Sequence, residues 1–121
     1  MTINNPDEID SLLPLPPVTF HILLALAGDE RHGYGVIQDV AARTGGAVKL
    51  SAGTLYRSIQ RMQEQGLITE SRRRPAPDED DERRRYYELT AFGEAVARAE
   101  ARRLTQLLKL ARASGFAPGN A

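Results

Sequence analysis

Arginine is the residue type in this sequence with the clearest capacity to bind another molecule. Arg57 and Arg61 are one helical turn apart, and two arginine triplets occupy 72–74 and 83–85. The guanidinium group presents a planar fork of donors, which suits phosphates and the edges of nucleic-acid bases better than an ammonium group does. The arginines therefore favour contact with a nucleic acid. The alternative is a solvated charged surface or the arginine-rich composition of a GC-rich genome.

Bond-making chemistry has few candidate residues. The chain contains no Cys, which excludes a thiol nucleophile, a disulfide framework and a zinc finger. His32 lies in a predicted turn and His21 in an amphipathic segment, and neither has a partner at the spacing of a general base or a metal pair. The sequence also lacks a nucleophile elbow and a P-loop. We therefore expect no enzyme, no cofactor and no metal, and we interpret the acidic run 78–82 as solvated rather than as a metal site.

Length and composition set further bounds on the class of protein. A chain of 121 residues that is 41% hydrophobic fits one globular domain and is too short for a barrel of about 250 residues. The longest nearly apolar run, 22–27, is far shorter than the ~20 residues of a membrane span. The N-terminal segment lacks the apolar stretch of a secretory signal. We therefore expect a cytoplasmic protein.

The net charge of zero conceals an uneven distribution of charge. Residues 1–50 carry three basic and six acidic side chains, a net of −3, whereas residues 51–121 carry 13 basic and 10 acidic ones, a net of +3. Nucleic-acid-binding domains are usually basic, so the balance of the whole chain alone argues against such a partner. The positive charge nevertheless gathers in the half that holds the arginine clusters.

Helix and strand signals follow one another in a definite order along the chain. Apolar residues recur at helical spacing after Pro17, Ser51 and Thr90 are good N-caps, and Gly66 has the position of a helix stop. The predicted helices are 17–27, 34–43, 52–65 and 91–113, with a turn over 28–33. Two strands are predicted over 67–71 and 85–89, joined by a loop over 75–82. A further short strand over 47–50 is left as an open alternative.

Three helices followed by a β-hairpin form the plan of a winged helix, in which the second and third helices are the helix-turn-helix pair. We therefore predict an α+β, mostly helical fold, a winged helix-turn-helix of three helices and a β-hairpin wing with a long C-terminal dimerisation helix. The predicted division is a flexible N-terminal tail over 1–13, in which one helical turn is an open alternative, the winged helix-turn-helix DNA-binding domain over 14–90, the dimerisation helix over 91–113 and a flexible tail over 114–121.

The third predicted helix is amphipathic. Leu55, Ile59 and Met62 form one apolar stripe, and Arg57 and Arg61 fall on the opposite face. Such a face suits a recognition helix that reads the major groove, although any amphipathic surface helix also carries arginines outside. The candidate DNA contacts in and near this helix are Tyr34, Lys49, Ser51, Gly53, Thr54, Tyr56, Arg57, Gln60 and Arg61.

The predicted hairpin carries the two arginine triplets, one on each strand. Alternate residues of a strand share a face, so Arg72 and Arg74 lie together on one strand, as do Arg83 and Arg85 on the other. Paired across the hairpin, these four arginines predict a basic patch that contacts phosphates and adds affinity without reading sequence. The acidic tip 78–82 would be repelled by DNA. It either points to solvent or pairs with the triplets when DNA is absent.

The last predicted helix carries an apolar seam with the spacing 4, 3, 4, 3, which is typical of helix pairing. Leu107 and Leu110 widen this surface beyond what one small domain readily covers. The alternative is packing against the chain's own first helix, and both arrangements can hold together. A dimer would place two recognition helices about one DNA turn, ~34 Å, apart. The candidate dimer contacts are Ala97, Ala101, Leu104, Leu107, Leu108 and Ala111.

The sequence as a whole resembles the PadR family of winged-helix transcriptional regulators, over about residues 14–113. An ordered set of motifs carries the resemblance: Phe20-His21-Ile22-Leu23-Leu24-Ala25-Leu26, His32-Gly33-Tyr34-Gly35, Gly53-Thr54-Leu55-Tyr56-Arg57, Glu64-Gln65-Gly66-Leu67-Ile68, Arg84-Arg85-Tyr86-Tyr87-Glu88-Leu89-Thr90 and Gly93.

The single C-terminal helix is similar to that of the short PadR subfamily. The resemblance implies a cytoplasmic homodimer that pairs through its last helix and binds a palindromic operator, usually as a repressor. Some PadR relatives bind flat aromatic drugs between subunits with the help of a tryptophan, which this chain lacks. Phe20 and Phe92 are the available aromatic residues and are expected in the core, so the existence and identity of a small-molecule effector stay open.

Two functions from different classes remain. One is an operator-binding repressor, and the other is a winged-helix module that binds a protein and not specific DNA. An exposed arginine face on the third helix and the wing, without compensating acids, would favour the first. A neutral or apolar face there would favour the second.

Overall fold

The computed structural model describes residues 5–71 and 85–118. Its topology is that of a winged helix followed by a long helix, as the sequence predicts. The elements in chain order are α1 (Pro6–Ser11), α2 (Pro17–Leu26), β1 (Arg31–His32), α3 (Gly33–Arg43), α4 (Ala52–Glu64), β2 (Ile68–Glu70), β3 (Tyr86–Leu89) and α5 (Ala91–Ala113).

The three strands form one antiparallel sheet in the order β1-β3-β2. The predicted hairpin is confirmed, with Ile68 opposite Leu89 and Glu70 opposite Tyr87. The strand β1 is an addition to the prediction, which placed a turn over 28–33. Arg31 pairs with Tyr87 across the other edge of β3. A strand of two residues has no alternation to detect, so only its distant partner reveals it.

The open alternative of a strand over 47–50 is wrong. Residues 47–50 pair with none of the three strands of the sheet. The chain after α3 satisfies its backbone locally instead, since the Val48 amide donates to Oγ1 of Thr44 at 3.0 Å. Leu50 is still buried in the core, because it packs there without joining a sheet.

The helix ends follow from side-chain caps that the sequence supplies. The Ser51 hydroxyl accepts a hydrogen bond from the Thr54 amide at 3.1 Å and begins α4, and Thr90 Oγ1 accepts one from the Gly93 amide at 2.9 Å and begins α5. Such bonds satisfy amide groups that a first helical turn leaves without partners. Gly66, with φ +79°, takes the left-handed conformation that ends α4.

The core lies between α2, α3, α4 and the first half of α5. The predicted stripe of α4 is confirmed, since Leu55, Ile59 and Met62 are all almost completely buried. They meet side chains of the other elements, among which Ile22, Leu23, Val36, Val40, Leu67 and Val96 are also fully buried. Burial of this face turns the polar face of α4 outward.

The N-terminal segment contains the helical turn that the sequence leaves as an open alternative for the tail over 1–13, and it packs on the domain. Pro6–Ser11 form a helix, with the Asn5 side chain accepting a hydrogen bond from the Asp7 amide at 2.9 Å. Ile9 is buried in the core cluster, and α1 contacts α5. A helix this short is unstable alone, so its contact with α5 accounts for its order. Residues 1–4 lie outside the described part of the chain, and so do 119–121.

The helix α5 has two halves with different surroundings. At its start, a Cβ atom on Gly93 would lie 1.9 Å from the backbone oxygen of Leu67, so only glycine allows this approach to the start of β2. Val96, Ala99 and Glu100 are buried against the domain. Beyond them, the residues over 104–110 are all exposed. A helix of 23 residues is ~34 Å long, and about half of it extends past the domain.

Candidate nucleic-acid interface

The outward face of α4 carries the side chains that the sequence singles out. Arg57, Gln60 and Arg61 are exposed, and so is Gly53 in the first turn. In the two described stretches, 5–71 and 85–118, neither Arg57 nor Arg61 forms an ion pair. An arginine face without acidic partners keeps its donors available for an anionic ligand. The face is exposed, as the sequence predicts, and its role as a recognition surface stays a prediction.

Arg57 is held close to the N-terminus of α4. Its Nη2 atom donates to Thr54 Oγ1 at 3.4 Å, and the Ser51 hydroxyl donates to the same oxygen at 3.1 Å. A Cβ atom on Gly53 would lie 3.3 Å from Arg57 Nη1, which is a tight contact. Glycine at position 53 therefore lets the guanidinium lie against the first turn. The positive end of the helix dipole and the guanidinium then favour an anion at the same place.

Two tyrosines flank this helix end. Tyr34, in the first turn of α3, is 59% exposed, and Tyr56, in α4, is 49% exposed. The Tyr56 ring also lies against Gly33 at the contact between α3 and α4. The sequence predicts a hydroxyl that reaches a phosphate, and it does not reveal this packing role. The signal that could have found it is a glycine at the first position of α3, where the other helix comes close.

The positive charge at the β1–α3 junction is used within the fold. Arg31 Nε donates to the Ala25 carbonyl at 2.7 Å, and its Nη2 lies 3.3 Å from Asp39. Arg43 Nε contacts the same carboxylate at 2.6 Å. Asp39 therefore joins β1 to α3. Because Arg31 and Arg43 are paired with Asp39, their guanidinium groups are less available to an anionic ligand than those of Arg57 and Arg61.

The wing is only partly within the described residues. Arg72, Arg74 and Arg83 lie outside them, and so does the acidic run 78–82, whereas Arg85 is exposed immediately before β3. The base of the hairpin is well defined. The Ser71 amide donates to the Tyr86 carbonyl at 2.7 Å, and the Ser71 hydroxyl donates to Glu30 at 2.6 Å. The basic patch across the wing stays a prediction.

The apolar seam of α5 is divided between the chain's own core and solvent. Ala97 packs partly against the core cluster, and Ala111 is half-buried. The rest of the predicted seam is exposed: Ala101, Leu104, Leu107 and Leu108, with Leu110 beside them. The alternative of packing on the chain's own helices therefore holds only for the first half of α5.

A buried carboxylate in α5 is a feature that the sequence does not reveal. Glu100 is 2% exposed, and it accepts hydrogen bonds from Arg103 Nε at 2.6 Å, from Arg103 Nη2 at 3.0 Å and from the Leu15 amide at 3.2 Å. The hydrogen bonds from Arg103 lower the pKa of Glu100 despite the opposing effect of burial, and the Leu15 amide adds to them. The carboxylate is therefore ionised and fully satisfied.

The described residues hold no grouping of three or more His, Asp or Glu side chains that could bind a metal ion. His32 acts as the N-cap of α3, since its Nδ1 atom accepts a hydrogen bond from the Gly35 amide at 3.0 Å. His21 is half-buried in α2. In the same part of the chain, no helix combines the length and the apolar character that crossing a bilayer requires.

Residues 22–99, more than half of the chain, match the model of the transcriptional regulator PadR-like family. The chain belongs to this family. The resemblance drawn from the sequence motifs is thereby confirmed, and PadR-family proteins are transcriptional regulators rather than enzymes. No curated protein sequence matches the chain.

Several solved structures of transcriptional regulators have the same fold as this chain. A transcriptional regulator from Clostridium thermocellum is 20% identical, with a TM-score of 0.66 over 89% of this chain and 94% of that one. A PadR family regulator from Clostridium difficile is 21% identical, with a TM-score of 0.65 over 80% of this chain and 96% of that one. Bacillus subtilis PadR, solved in complex with operator DNA, is 19% identical, with a TM-score of 0.58 over 71% of this chain and 47% of that one.

Proposed function

We propose that this PadR-family chain is a repressor that binds a palindromic DNA operator as a homodimer. The observation that carries the proposal is the exposed face of α4, where Arg57 and Arg61 lie without acidic partners among the described residues. The similarity in fold to Bacillus subtilis PadR, which was solved with operator DNA, supports it. The proposed place of action is the cytoplasm.

In this proposal α4 enters the major groove, and Arg57 and Arg61 both contact the DNA there. Arg57, beside the helix N-terminus, contacts a phosphate or a guanine edge at the entry of the helix, and Arg61 contacts the groove one turn later. The remaining candidate residues are proposed to contact the sugar–phosphate backbone of the DNA or to lie close to it: Tyr34, Lys49, Ser51, Gly53, Thr54, Tyr56 and Gln60. Phosphate contacts of this kind fix orientation, whereas base contacts supply specificity.

The wing supplies a second, electrostatic contribution. Arg72, Arg74, Arg83 and Arg85 are proposed to contact phosphates beside the major groove. Because the net charge of the chain is zero, non-specific attraction to DNA is modest. Specificity therefore depends on two half-sites being bound together.

The homodimer is proposed to form through the second half of α5. The exposed leucines there form an apolar face that a second copy of the helix would cover. The interface would comprise Ala97, Ala101, Leu104, Leu107, Leu108 and Ala111. A small-molecule effector is kept as a partner of this dimer without an assigned site, since Phe20 and Phe92 both pack against the core.

The alternative function is a winged-helix module that binds a protein partner and no specific DNA. The outward face of α4 argues against it, because its side chains are charged or polar. Arginine and tyrosine also occur at protein–protein interfaces, but an arginine face without acidic partners among the described residues matches the anionic backbone of DNA. The DNA-binding proposal therefore explains the surface better.

The experiment that tests the proposal is selection of bound fragments from genomic DNA with the purified full-length chain. The expected result is a small set of fragments that share an inverted repeat, with half-sites separated by about one helical turn. A gel shift on that repeat would show one cooperative complex. Recovery of fragments without a shared repeat, or only salt-labile binding to every fragment, would contradict the proposal. Expression from a reporter placed behind the repeat then distinguishes repression from activation.

A further inference from the structure

Glu100 lies at the place where α5 leaves the DNA-binding domain. The residues before it, including Val96 and Ala99, are buried against the domain, whereas the leucines after it are exposed. A side chain at this boundary can control the direction in which the second half of the helix points. Neither the recognition surface nor the apolar seam uses Glu100, so its burial needs a separate explanation.

The carboxylate joins two elements that are far apart in the sequence. Glu100 accepts from the Leu15 amide, 85 residues away, at 3.2 Å. Positions 14, 16 and 17 are proline, which has no backbone N–H, so Leu15 offers the one amide donor of this turn. Leu15 is itself 7% exposed, and α2 begins two residues later at Pro17. The bond therefore ties α5 to the start of the helix-turn-helix domain.

Arg103 completes the arrangement. Its Nε and Nη2 atoms donate to the two carboxylate oxygens, at 2.6 Å and 3.0 Å. The fork limits rotation of the carboxylate, since both of its oxygens are engaged. The Leu15 amide then meets an oxygen whose direction is set by the helix itself. We call this group the α5 anchor: Leu15, Glu100 and Arg103.

An apolar side chain at position 100 would fill the space at lower cost, because burying a carboxylate forfeits its hydration. Hydrophobic contact is non-directional, so apolar packing alone would fix the orientation of α5 less strictly. Hydrogen bonds act over a narrow range of distances and angles. A buried charge that is fully satisfied is therefore better suited to specifying an angle than to adding stability.

We propose that Glu100 is a positioning residue for operator recognition, because the α5 anchor sets the angle between the DNA-binding domain and the dimerisation helix. This inference rests on the proposed function. The 13 residues of α5 beyond Glu100 span about 20 Å, so a tilt of roughly 10° moves the end of the helix by about 3.5 Å, close to the ~3.4 Å rise of one base pair. The anchor therefore determines which half-site spacing a homodimer accepts.

The test is a spacing profile measured with the full chain. DNA duplexes carry the two selected half-sites with the spacer lengthened or shortened by one base pair at a time, and a further duplex carries a single half-site. Wild-type protein is expected to prefer one spacing by about tenfold over its neighbours, the usual cost of one misplaced contact. Glu100→Gln keeps the shape of the side chain and removes the charge. It is expected to flatten or shift the profile while leaving single-half-site affinity unchanged.

Glu94→Gln is the matched control, because Glu94 forms an exposed ion pair with Arg98 on the same helix. It should keep the wild-type profile. Arg103→Lys keeps the positive charge but loses the fork, and it provides a second variant of the anchor if Glu100→Gln folds poorly. Its profile should also broaden.

Two results would overturn the inference. One is a uniform loss of affinity at every spacing in both anchor variants, which marks a structural role alone, and the other is a wild-type profile in both. A wild-type protein that shows no preference for paired half-sites would instead overturn the proposed function, and the inference with it.

Discussion

The ring of Tyr56 lies directly over Gly33. A Cβ atom built on Gly33 would be 2.5 Å from Tyr56 Oη, 2.9 Å from Tyr56 Cζ and 3.2 Å from a methyl group of Leu55. The first turn of α3 and the N-terminal half of α4 are therefore in contact without room for one methyl group. This contact is one of the points at which the two helices of the helix-turn-helix pair meet.

Gly33→Ala is expected to lower the free energy of unfolding by about 1 kcal/mol, the lower end of overpacking costs, because the new methyl group displaces the hydroxyl end of the half-exposed Tyr56 side chain. Urea unfolding measures this change. Gly35→Ala is the matched control in the same helix, because the nearest atom to its new Cβ would be His32 Cε1 at an ordinary 3.5 Å. The control should be neutral or slightly stabilising, by up to ~1 kcal/mol. Equal stability of Gly33→Ala and wild type would refute the close contact.

Arg57→Ala and Arg61→Ala are each expected to weaken operator binding by about 1–3 kcal/mol, because each removes a guanidinium from the groove face of α4. Their dimers should be unaffected, since neither side chain is on α5. Gel shifts at fixed salt measure the affinity, and light scattering measures the mass. Arg98→Ala, which removes an exposed arginine of α5, should bind as wild type does. Unchanged affinity in both α4 variants would count against the recognition surface.

The four wing arginines, Arg72, Arg74, Arg83 and Arg85, should govern the salt dependence of binding. Replacing all four with glutamine is expected to reduce the slope of log affinity against log salt by about 1 for each phosphate that the wing no longer neutralises. Specific and random DNA should lose affinity alike, because phosphates carry no sequence information. Titrations at several salt concentrations measure the slope. Arg102→Gln is the control and should leave the slope unchanged. If the fourfold wing variant also leaves the slope unchanged, the wing does not contact phosphates.

Leu104→Ser combined with Leu108→Ser should convert the protein from dimer to monomer. These side chains are 38% and 42% exposed in the single chain, so their loss costs the isolated fold little and the proposed interface much. Sedimentation velocity over a range of concentrations measures the oligomeric state. Gln106→Ser, another exposed position of α5, is the control and should remain dimeric. A double variant that stays dimeric would place the interface elsewhere.

Acid should remove the stabilisation that Glu100 supplies. Its pKa in the folded chain is lowered by the hydrogen bonds from Arg103, so the folded state favours the ionised form. The stabilisation is therefore fully present above the ordinary value of 4.5 and is lost as the pH falls through the lower folded value. The contribution is moderated by solvent screening, because the Arg103 side chain is 34% exposed.

Urea unfolding of wild type and Glu100→Gln between pH 7 and pH 2 measures this dependence. The difference in unfolding free energy between the two proteins should be constant near neutrality and shrink below about pH 4.5. Glu94→Gln, in an exposed ion pair, should show a small difference, at most ~0.5 kcal/mol. If the difference in unfolding free energy between wild type and Glu100→Gln persists at pH 2, the charge of Glu100 does not cause it.

Local rules were sufficient to predict most of the fold. Ser51, Thr90 and Gly66 act on amides or carbonyls within a few residues of themselves, so the bounds of α4 and the start of α5 follow from short stretches of sequence. The apolar stripe of α4 is likewise a property of one helix. It determines which face is outward, and therefore that Arg57 and Arg61 are exposed.

Features that depend on distant partners could not be predicted in this way. β1 has two residues and exists because Arg31 meets Tyr87 on β3. The short helix α1 is ordered where Ile9 joins the core. Tyr56 and Gly33 come together only when α3 and α4 pack. Each of these requires the tertiary arrangement, which no local periodicity contains.

The hydrogen bond from Leu15 to Glu100 comes from the main chain and not from a side chain. Sequence drift at position 15 among apolar residues therefore leaves the donor in place, because every residue except proline supplies the same amide. Position 100 is more restricted, since only a carboxylate of the right length reaches both the Leu15 amide and the Arg103 guanidinium. The two ends of one interaction therefore differ in the substitutions they accept, and a proline at position 15 would break the hydrogen bond without altering any charge.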